Sequence, residues 1–211
     1  MNIVWIPGWQ FSAQAFQPLW RHAEVTEPNV LDYAAMDLTL SQWLDKQVQH
    51  LDQDTVLVGW SLGGMLACEL AKRSSKVQKV LAICANTRFA GGPGLANIVA
   101  DSFMSRYQRN PAITRKKFAA LVDRQQVSEI ENSLLDGNHL NTLEWLYELN
   151  ITEELACPIH VLLAEQDQLV PVTSAQQAWQ PLAQTVTILS GEHSLPITSA
   201  AAVAQWVGLH G

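Results

Sequence analysis

The segment VLVGWSLGGM, residues 56–65, runs from a continuous apolar pattern into a serine flanked by glycines. Unbroken apolar residues are typical of a parallel strand that is buried on both faces. The next segment, LGGMLACELAKR, has helical spacing, so the serine stands on a turn between a strand and a helix. In this context G-x-S-x-G, at Gly59, Ser61 and Gly63, predicts a nucleophile elbow, a strained turn that exposes the serine hydroxyl.

Strand patterns and helical patterns alternate along most of the chain. Six segments have the composition of strands: NIVWIPG (2–8), NVLDY (29–33), TVLVGW (55–60), VQKVLAICA (77–85), IHVLLAE (159–165) and TVTILS (185–190). Helical patterns separate them, for example LSQWLDKQVQHL at 40–51. This alternation predicts an α/β fold in which a parallel sheet is covered by helices on both faces.

Residues 87–156 interrupt the alternation, because they contain four helical patterns and no convincing strand. A structureless loop of that length is improbable in a compact domain. We therefore expect a core formed by residues 1–86 and 157–211, with a helical lid formed by residues 87–156 inserted between two strands.

A serine nucleophile needs a histidine base and an acid that orients the histidine. Asp167 follows the strand IHVLLAE and His193 follows the strand TVTILS. Both positions are at the carboxyl ends of strands, where an open α/β sheet builds its site. Glu165 and Glu192 are the competing carboxylates, and Glu192 is too close to His193 in sequence to orient it easily. The remaining histidines fit a surface or core position better; they are His22, His50, His139, His160 and His210.

The same turns supply candidates for the oxyanion hole and the acyl pocket. One N–H should come from Leu62, directly after the serine. The loop PGWQ after the first strand offers the backbone N–H of Trp9 as the second donor. The side chains of Trp9, Trp60 and Leu62 are expected to bind the apolar part of the substrate.

The composition is that of a globular protein: 48% of the 211 residues are hydrophobic, 16% are charged, and the net charge is −7. An acidic chain is a poor binder of nucleic acid, and no apolar run approaches the roughly 20 residues that span a bilayer. We find no secretory signal, and Cys68, Cys84 and Cys157 predict neither disulfides nor a zinc site. We expect a cytoplasmic monomer that binds neither nucleic acid nor membranes.

These motifs resemble those of the α/β-hydrolases, and among them the pimeloyl-[acyl-carrier protein] methyl ester esterases of biotin synthesis. The likeness rests on GWSLGG at 59–64, D-x-L-V-P at 167–171, the PGW loop at 7–9, and His193 followed two residues later by Leu-Pro. The segment LNTLEWLYELNITEELACP also resembles the end of that family's lid. That family has two further strands at its start, and a histidine in place of Pro7.

The resemblance implies six parallel strands in the order 2-1-3-4-5-6 and a triad of Ser61, Asp167 and His193. It implies hydrolysis of a carboxylic ester, with a pimeloyl-carrier methyl ester as the best candidate and no metal or organic cofactor. Three alternatives stay open: a general short-chain carboxylesterase or thioesterase, a menaquinone-pathway lyase with a related elbow, and a binding module that kept the fold. The intact triad argues against the last.

Charge is divided unevenly along the chain. Residues 88–124 hold seven basic and two acidic residues, or +5, whereas the rest of the chain carries −12. Since the resemblance brings an acidic partner, acyl-carrier protein, six basic residues are candidates to dock it: Arg106, Arg109, Arg115, Lys116, Lys117 and Arg124. The alternative is that these side chains are solvated or pair with nearby acids.

Overall fold

A computed structural model describes residues 2–33 and 37–211, and its centre is a six-stranded sheet. The strands are β1 (Asn2–Ile6), β2 (Asn29–Val30), β3 (Thr55–Trp60), β4 (Val77–Ile83), β5 (Ile159–Ala164) and β6 (Thr185–Leu189). Neighbouring strands all pair in parallel, in the order β2-β1-β3-β4-β5-β6. The predicted fold class and strand order are confirmed.

Helices pack around this sheet. They are α1 (Gln17–His22), α2 (Leu40–His50), α3 (Leu62–Arg73), α4 (Asn97–Arg109), α5 (Pro111–Val122), α6 (Val127–Ser133), α7 (Leu140–Glu148), α8 (Val172–Trp179), α9 (Leu195–Thr198) and α10 (Ala200–His210). Helix α3 contacts β1, β3 and β4, α8 contacts β5, and α10 packs against α1. Across the two described ranges, no helix is long and apolar enough to cross a bilayer.

Strand β3 positions the serine. Its six residues are all buried, because β1 and β4 pair with its two edges and α3 packs against it. Since all strands are parallel, the loops that follow β1, β3, β4, β5 and β6 emerge at the same edge of the sheet. Ser61 directly follows β3, so these loops can surround it.

The second strand and two of the helices have local irregularities. The strand predicted at 29–33 pairs with β1 only over Asn29–Val30, after which Leu31 N–H still donates to the Trp5 carbonyl (2.9 Å). A 3₁₀ turn, Ala13–Phe16, precedes α1, and the α-helical part starts beside Pro18, a residue suited to a first helical turn. Ser199 separates α9 from α10.

Between β4 and β5 the chain forms helices α4 to α7. We call residues 87–156 the helical insertion. Asn110 joins α4 to α5, and its side chain caps α5 by accepting a hydrogen bond from the Ile113 N–H (3.1 Å). The insertion buries Tyr107, Phe118 and Ile130 in the same hydrophobic core as the sheet. Its inner face is therefore packed over the edge of the sheet where the five loops emerge.

Candidate active site

The turn at Ser61 has the backbone geometry of a nucleophile elbow. Its φ of 56° and ψ of −120° lie in a region that residues other than glycine rarely occupy. Glycines make this turn possible, because a Cβ on Gly59 would lie 2.2 Å from the Gly63 carbonyl oxygen, and one on Gly63 would lie 2.1 Å from the Ile6 oxygen. Ser61 N–H donates to the Ile83 carbonyl (2.8 Å), which ties the turn to β4.

His193 and Asp167 form a buried pair. The Nδ1 atom of His193 lies 2.7 Å from Oδ2 of Asp167, and the two side chains are only 1% and 0% exposed. The other carboxylate oxygen, Oδ1, accepts hydrogen bonds from the N–H groups of Leu169 and Val170, both at 2.8 Å. With three donors, the carboxylate is satisfied and held in place without water. It can therefore fix the tautomer and orientation of the imidazole.

The competing carboxylates do not reach the imidazole. Glu165 is exposed and accepts a hydrogen bond from Gln166 Nε2 at 2.6 Å. Glu192 is buried but turns away from His193, and accepts hydrogen bonds from the Arg124 backbone N–H at 3.0 Å and from Arg124 Nε at 3.2 Å. The structure therefore brings Asp167, and neither glutamate, to His193.

Trp60 connects the histidine to the elbow. Its indole Nε1 donates to the His193 carbonyl oxygen (2.9 Å), and the two ring centroids are 5.8 Å apart. Because Trp60 precedes Ser61, this bond brings the histidine loop to the strand that carries the serine. Among the described residues no hydrogen bond joins the Ser61 hydroxyl to His193; such bonds are often long without substrate and shorten when it binds.

The two predicted oxyanion donors lie on either side of Ser61. Leu62 is the first residue of α3, where a backbone N–H has no partner within the helix. Gly8, which precedes Trp9, lies so close that a Cβ on it would be 3.4 Å from the Ser61 Cβ. Over residues 2–33 and 37–211, no backbone carbonyl accepts from the N–H of Trp9 or Leu62. Both groups are available to a substrate oxygen.

An apolar cavity lies between Ser61 and the helical insertion. Trp9, Met65 and Val170 line its core side, and residues such as Val99, Phe103 and Phe118 line its insertion side. Its free volume is about 50 Å³, where one water molecule needs about 10–15 Å³ on the same scale. The cavity is therefore large enough for several waters or for a small apolar group beside Ser61.

The three side chains that we expected to bind the apolar part of the substrate, Trp9, Trp60 and Leu62, occupy different positions. Trp9 lines the cavity and meets Phe118 edge-on at 4.9 Å. Trp60 and Leu62 are fully buried and are absent from the cavity lining among the described residues. Trp60 instead packs behind the site, 4.4 Å from Phe11 between ring centroids. The indole therefore contacts the histidine loop and not the cavity.

The sequence did not identify Cys84 as a neighbour of the buried His193–Asp167 pair. Its sulfur, one Asp167 oxygen and one His193 nitrogen all lie within 4.8 Å of one another. Burial raises the pKa of the Cys84 thiol well above its usual value, and the nearby Asp167 charge raises it further. The 2.7 Å between His193 and Asp167 is shorter than the roughly 3.4 Å between two ligands of a tetrahedral zinc ion. The pair is therefore hydrogen-bonded as it stands, with a neutral thiol beside it.

The six predicted docking cations divide into two groups. Arg115 forms an ion pair with Asp136 and donates to the carbonyls of Glu131 (2.9 Å) and Leu134 (2.6 Å). Arg124 pairs with Glu192. The other four, Arg106, Arg109, Lys116 and Lys117, are exposed, and none has an ion pair in the part of the chain that the structure describes. We call these four the free cations; they lie on α4 and α5.

The oxyanion loop is attached to the insertion by residues that the sequence did not reveal. Tyr107, on α4, is fully buried, and its hydroxyl accepts hydrogen bonds from Gln10 Nε2 (2.7 Å) and the His139 N–H (2.9 Å). The Gln10 carbonyl accepts from the Leu135 N–H (2.7 Å). Trp9 Nε1 donates to the His139 carbonyl (3.2 Å). The pairs that join the oxyanion loop to the insertion are more than 90 positions apart, so no local pattern predicts them.

Comparison with known proteins agrees with the fold. A model described as "Alpha/beta hydrolase family" matches residues 3–206. A "Biotin biosynthesis bifunctional protein BioHC" from Cellvibrio japonicus is 29% identical over 199 residues, covering 82% of this chain and 40% of that protein. A "Pimeloyl-[acyl-carrier protein] methyl ester esterase" from Aromatoleum aromaticum is 26% identical over 210 residues, 83% of either chain. A hydrolase from Oleispira antarctica has a similar fold, with a TM-score of 0.83 at 13% identity over 99% of this chain and 89% of that one.

Proposed function

This chain belongs to the alpha/beta hydrolase family, and from that premise we propose that it is a serine carboxylesterase with Ser61 as nucleophile. The observation that carries the proposal is the 2.7 Å bond between His193 and Asp167, formed beside the strained turn of Ser61. In chain order the three residues follow the sequence serine, acid, histidine that this fold uses. Each lies on the loop after a different parallel strand, β3, β5 or β6.

The proposed reaction has two halves. Ser61 Oγ attacks the ester carbonyl carbon while His193 Nε2 takes the hydroxyl proton, and Asp167 stabilises the imidazolium that forms. The N–H groups of Trp9 and Leu62 bind the negatively charged oxygen of the tetrahedral intermediate. The intermediate expels the alcohol, which receives the proton from His193. Water then attacks the acyl-enzyme by the same route and releases the acid.

The substrate that we propose is a methyl ester on an acyl chain carried by acyl-carrier protein, with a pimeloyl chain as the best candidate. Support comes from the similarity to a pimeloyl-[acyl-carrier protein] methyl ester esterase and to a biotin biosynthesis protein, and from the apolar cavity beside Ser61. A second candidate is a short-chain ester or thioester. The cavity volume of about 50 Å³ favours it, because the space beside Ser61 is large enough for a small apolar group.

The four free cations support docking of an acidic carrier. They lie on α4 and α5, the helices that also supply Val99, Phe103 and Phe118 to the cavity. A carrier bound there would present its acyl arm to the cavity entrance. Attraction of this kind acts mainly on the association rate and weakens with salt.

Replacing the nucleophile tests the chemistry. We expect Ser61→Ala to abolish hydrolysis of p-nitrophenyl butyrate, while the melting temperature stays close to that of the wild type, because one hydroxyl is removed from a strained turn. Activity and thermal unfolding are measured on the same preparations. More than a few per cent of residual turnover would rule out Ser61 as the nucleophile.

A substrate panel separates the two candidate substrates. We expect kcat/KM to be highest for a carrier-linked methyl ester among methyl, p-nitrophenyl and thioester substrates. We also expect the gene to restore growth of a biotin auxotroph that lacks its methyl ester esterase. Preference for small esters, without complementation, would favour the general esterase.

Charge reversal tests docking. Because Arg115 is held inside the insertion, the variant that we choose is Lys116→Glu with Lys117→Glu, which changes only free cations. We expect KM for the carrier-linked ester to rise several-fold, and added salt to raise KM of the wild type likewise. Hydrolysis of a small neutral ester should stay normal. Equal effects on both substrates would indicate that these lysines are only solvated.

A further inference from the structure

The helical insertion forms hydrogen bonds with the residues on both sides of His193. Before it, Glu192 accepts hydrogen bonds from the backbone N–H and Nε of Arg124. After it, Ser194 donates its hydroxyl proton to Asp123 Oδ2 at 2.5 Å. Asp123 and Arg124 are consecutive residues directly after α5, so a single point of the insertion holds both neighbours of the histidine.

Asp123 is built into the interior. It is 5% exposed and Ser194 is 0% exposed. Its second oxygen, Oδ1, accepts from the N–H groups of Gln125 (2.9 Å) and Gln126 (3.0 Å). A buried carboxylate is tolerated only when its oxygens are satisfied, and these three donors do so. The bond to Ser194 is short and charge-assisted, which makes it one of the stronger hydrogen bonds a protein forms.

The core holds the same loop from the opposite side. Trp60 donates to the His193 carbonyl, and Asp167 binds the imidazole. The core contacts fix the histidine residue itself, and the insertion contacts fix its two neighbours. Removal of the insertion contacts allows the backbone that carries the imidazole to shift, and this disturbs the bond between His193 and Asp167.

We propose that Asp123 is a positioning residue that sets the distance between His193 and Ser61 through Ser194. This inference rests on the proposed function, in which His193 is the base. Helix α5 supplies Phe118 and Leu121 to the cavity and ends at Val122, next to Asp123. The element that contacts the acyl chain is therefore the one that aligns the base, and displacement of α5 also moves the histidine loop.

Two variants with different chemistry test the bond. Asp123→Asn keeps the shape and removes the charge, and Ser194→Ala removes only the hydroxyl. Because a misplacement of the order of 1 Å can cost about 100-fold in rate, we expect each to lower kcat for p-nitrophenyl butyrate by about 10- to 100-fold, with KM little changed. The double variant should lose no more than the worse single variant, since both changes act on the bond between Ser194 and Asp123. Ser194→Ala also removes the contact with the Thr198 hydroxyl (3.0 Å).

A spectroscopic signature distinguishes positioning from stability. The proton between His193 Nδ1 and Asp167 should give a strongly downfield proton resonance in the wild type, which we expect to weaken or shift in both variants well below their melting temperatures. Thr114→Val is the matched control, because it removes a buried hydroxyl bond to the Asn110 carbonyl (2.9 Å) on the same helix. It should leave both kcat and the resonance unchanged.

The outcomes separate this inference from the proposed function. Wild-type kcat in Asp123→Asn and Ser194→Ala, additive losses in the double variant, or equal losses in Thr114→Val would each overturn the positioning role. If either variant fails to fold, the other decides. Retained activity in Ser61→Ala would instead remove the proposed function, whereas an inactive Ser61→Ala beside fully active Asp123→Asn would remove only the inference.

Discussion

The two loops beside Ser61 are attached to the helical insertion by different chemistry. The oxyanion loop is held by buried aromatic and amide groups, with Tyr107 and Gln10 each almost completely inaccessible. The histidine loop is held by one buried carboxylate, Asp123, and by an ion pair in which the Arg124 side chain is 59% exposed. One attachment is entirely internal, and the other reaches the surface.

This difference indicates which of the two attachments costs more free energy to break. Breaking the attachment at Tyr107 exposes apolar rings and leaves buried donors without partners, which is costly. The outer part of the attachment at Arg124 can exchange its partner for water or salt at little cost. We therefore expect the Arg124 ion pair to exchange with solvent before the contacts of Tyr107 open.

The largest effect should come from the bond between His193 and Asp167, which belongs to the core and to neither attachment. In Asp167→Asn the amide can favour the wrong histidine tautomer, so we expect kcat to fall by about 10⁴-fold. Steady-state hydrolysis of p-nitrophenyl butyrate gives the value. Glu165→Gln and Glu192→Gln are the controls; a comparable loss in either would mean that the wrong carboxylate has been assigned.

The oxyanion-side attachment should respond mainly in stability. Burial raises the pKa of Tyr107, so its hydroxyl stays protonated and accepts the hydrogen bonds of Gln10 and His139. Tyr107→Phe leaves both donors buried without a partner, and we expect the free energy of unfolding to fall by about 1–3 kcal/mol. Urea unfolding measures the loss.

A second tyrosine of the insertion provides the comparison for that result. Tyr147 is only half-buried and donates to the Ala100 carbonyl (2.6 Å). Tyr147→Phe takes one donor from a single acceptor, whereas Tyr107→Phe leaves two donors without a partner. If Tyr147→Phe costs as much as Tyr107→Phe, the oxyanion side has no special attachment, and the contrast between the two loops fails.

Local patterns were sufficient to predict the core. Strand β3 and helix α3 have the predicted bounds. A buried apolar run ends there at a turn whose close backbone contacts leave room only for glycine at Gly59 and Gly63. The predicted positions of Asp167 and His193 at strand ends follow from a parallel sheet, in which all carboxyl ends share one edge. The structure then brings these two side chains together.

Contacts of the insertion were not predictable in the same way. Asp123 and Ser194 are 71 positions apart, and Tyr107 and Gln10 are 97 apart. Arg124 was counted with the docking cations because net charge along a segment does not show which acid lies opposite in space. Glu192, its partner, comes from beyond β6. Pairing of this kind depends on tertiary packing, which periodicity does not encode.

The smallest effect should come from the exposed end of the histidine-side attachment. Arg124→Ala removes the side chain but keeps the backbone N–H that donates to Glu192 (3.0 Å). Since the Arg124 side chain is 59% exposed and the buried Glu192 keeps the backbone donor, we expect stability to fall by about 1 kcal/mol and kcat to fall far less than in Asp123→Asn. At about 1 M salt, where charges are screened beyond about 3 Å, the stabilities of the wild type and Arg124→Ala should converge.

The control is Arg73→Ala, which breaks a surface pair with Asp45 (2.8 Å) and should affect stability alone. A loss of kcat in Arg124→Ala as large as in Asp123→Asn would mean that the surface charge, and not the buried carboxylate, aligns the histidine.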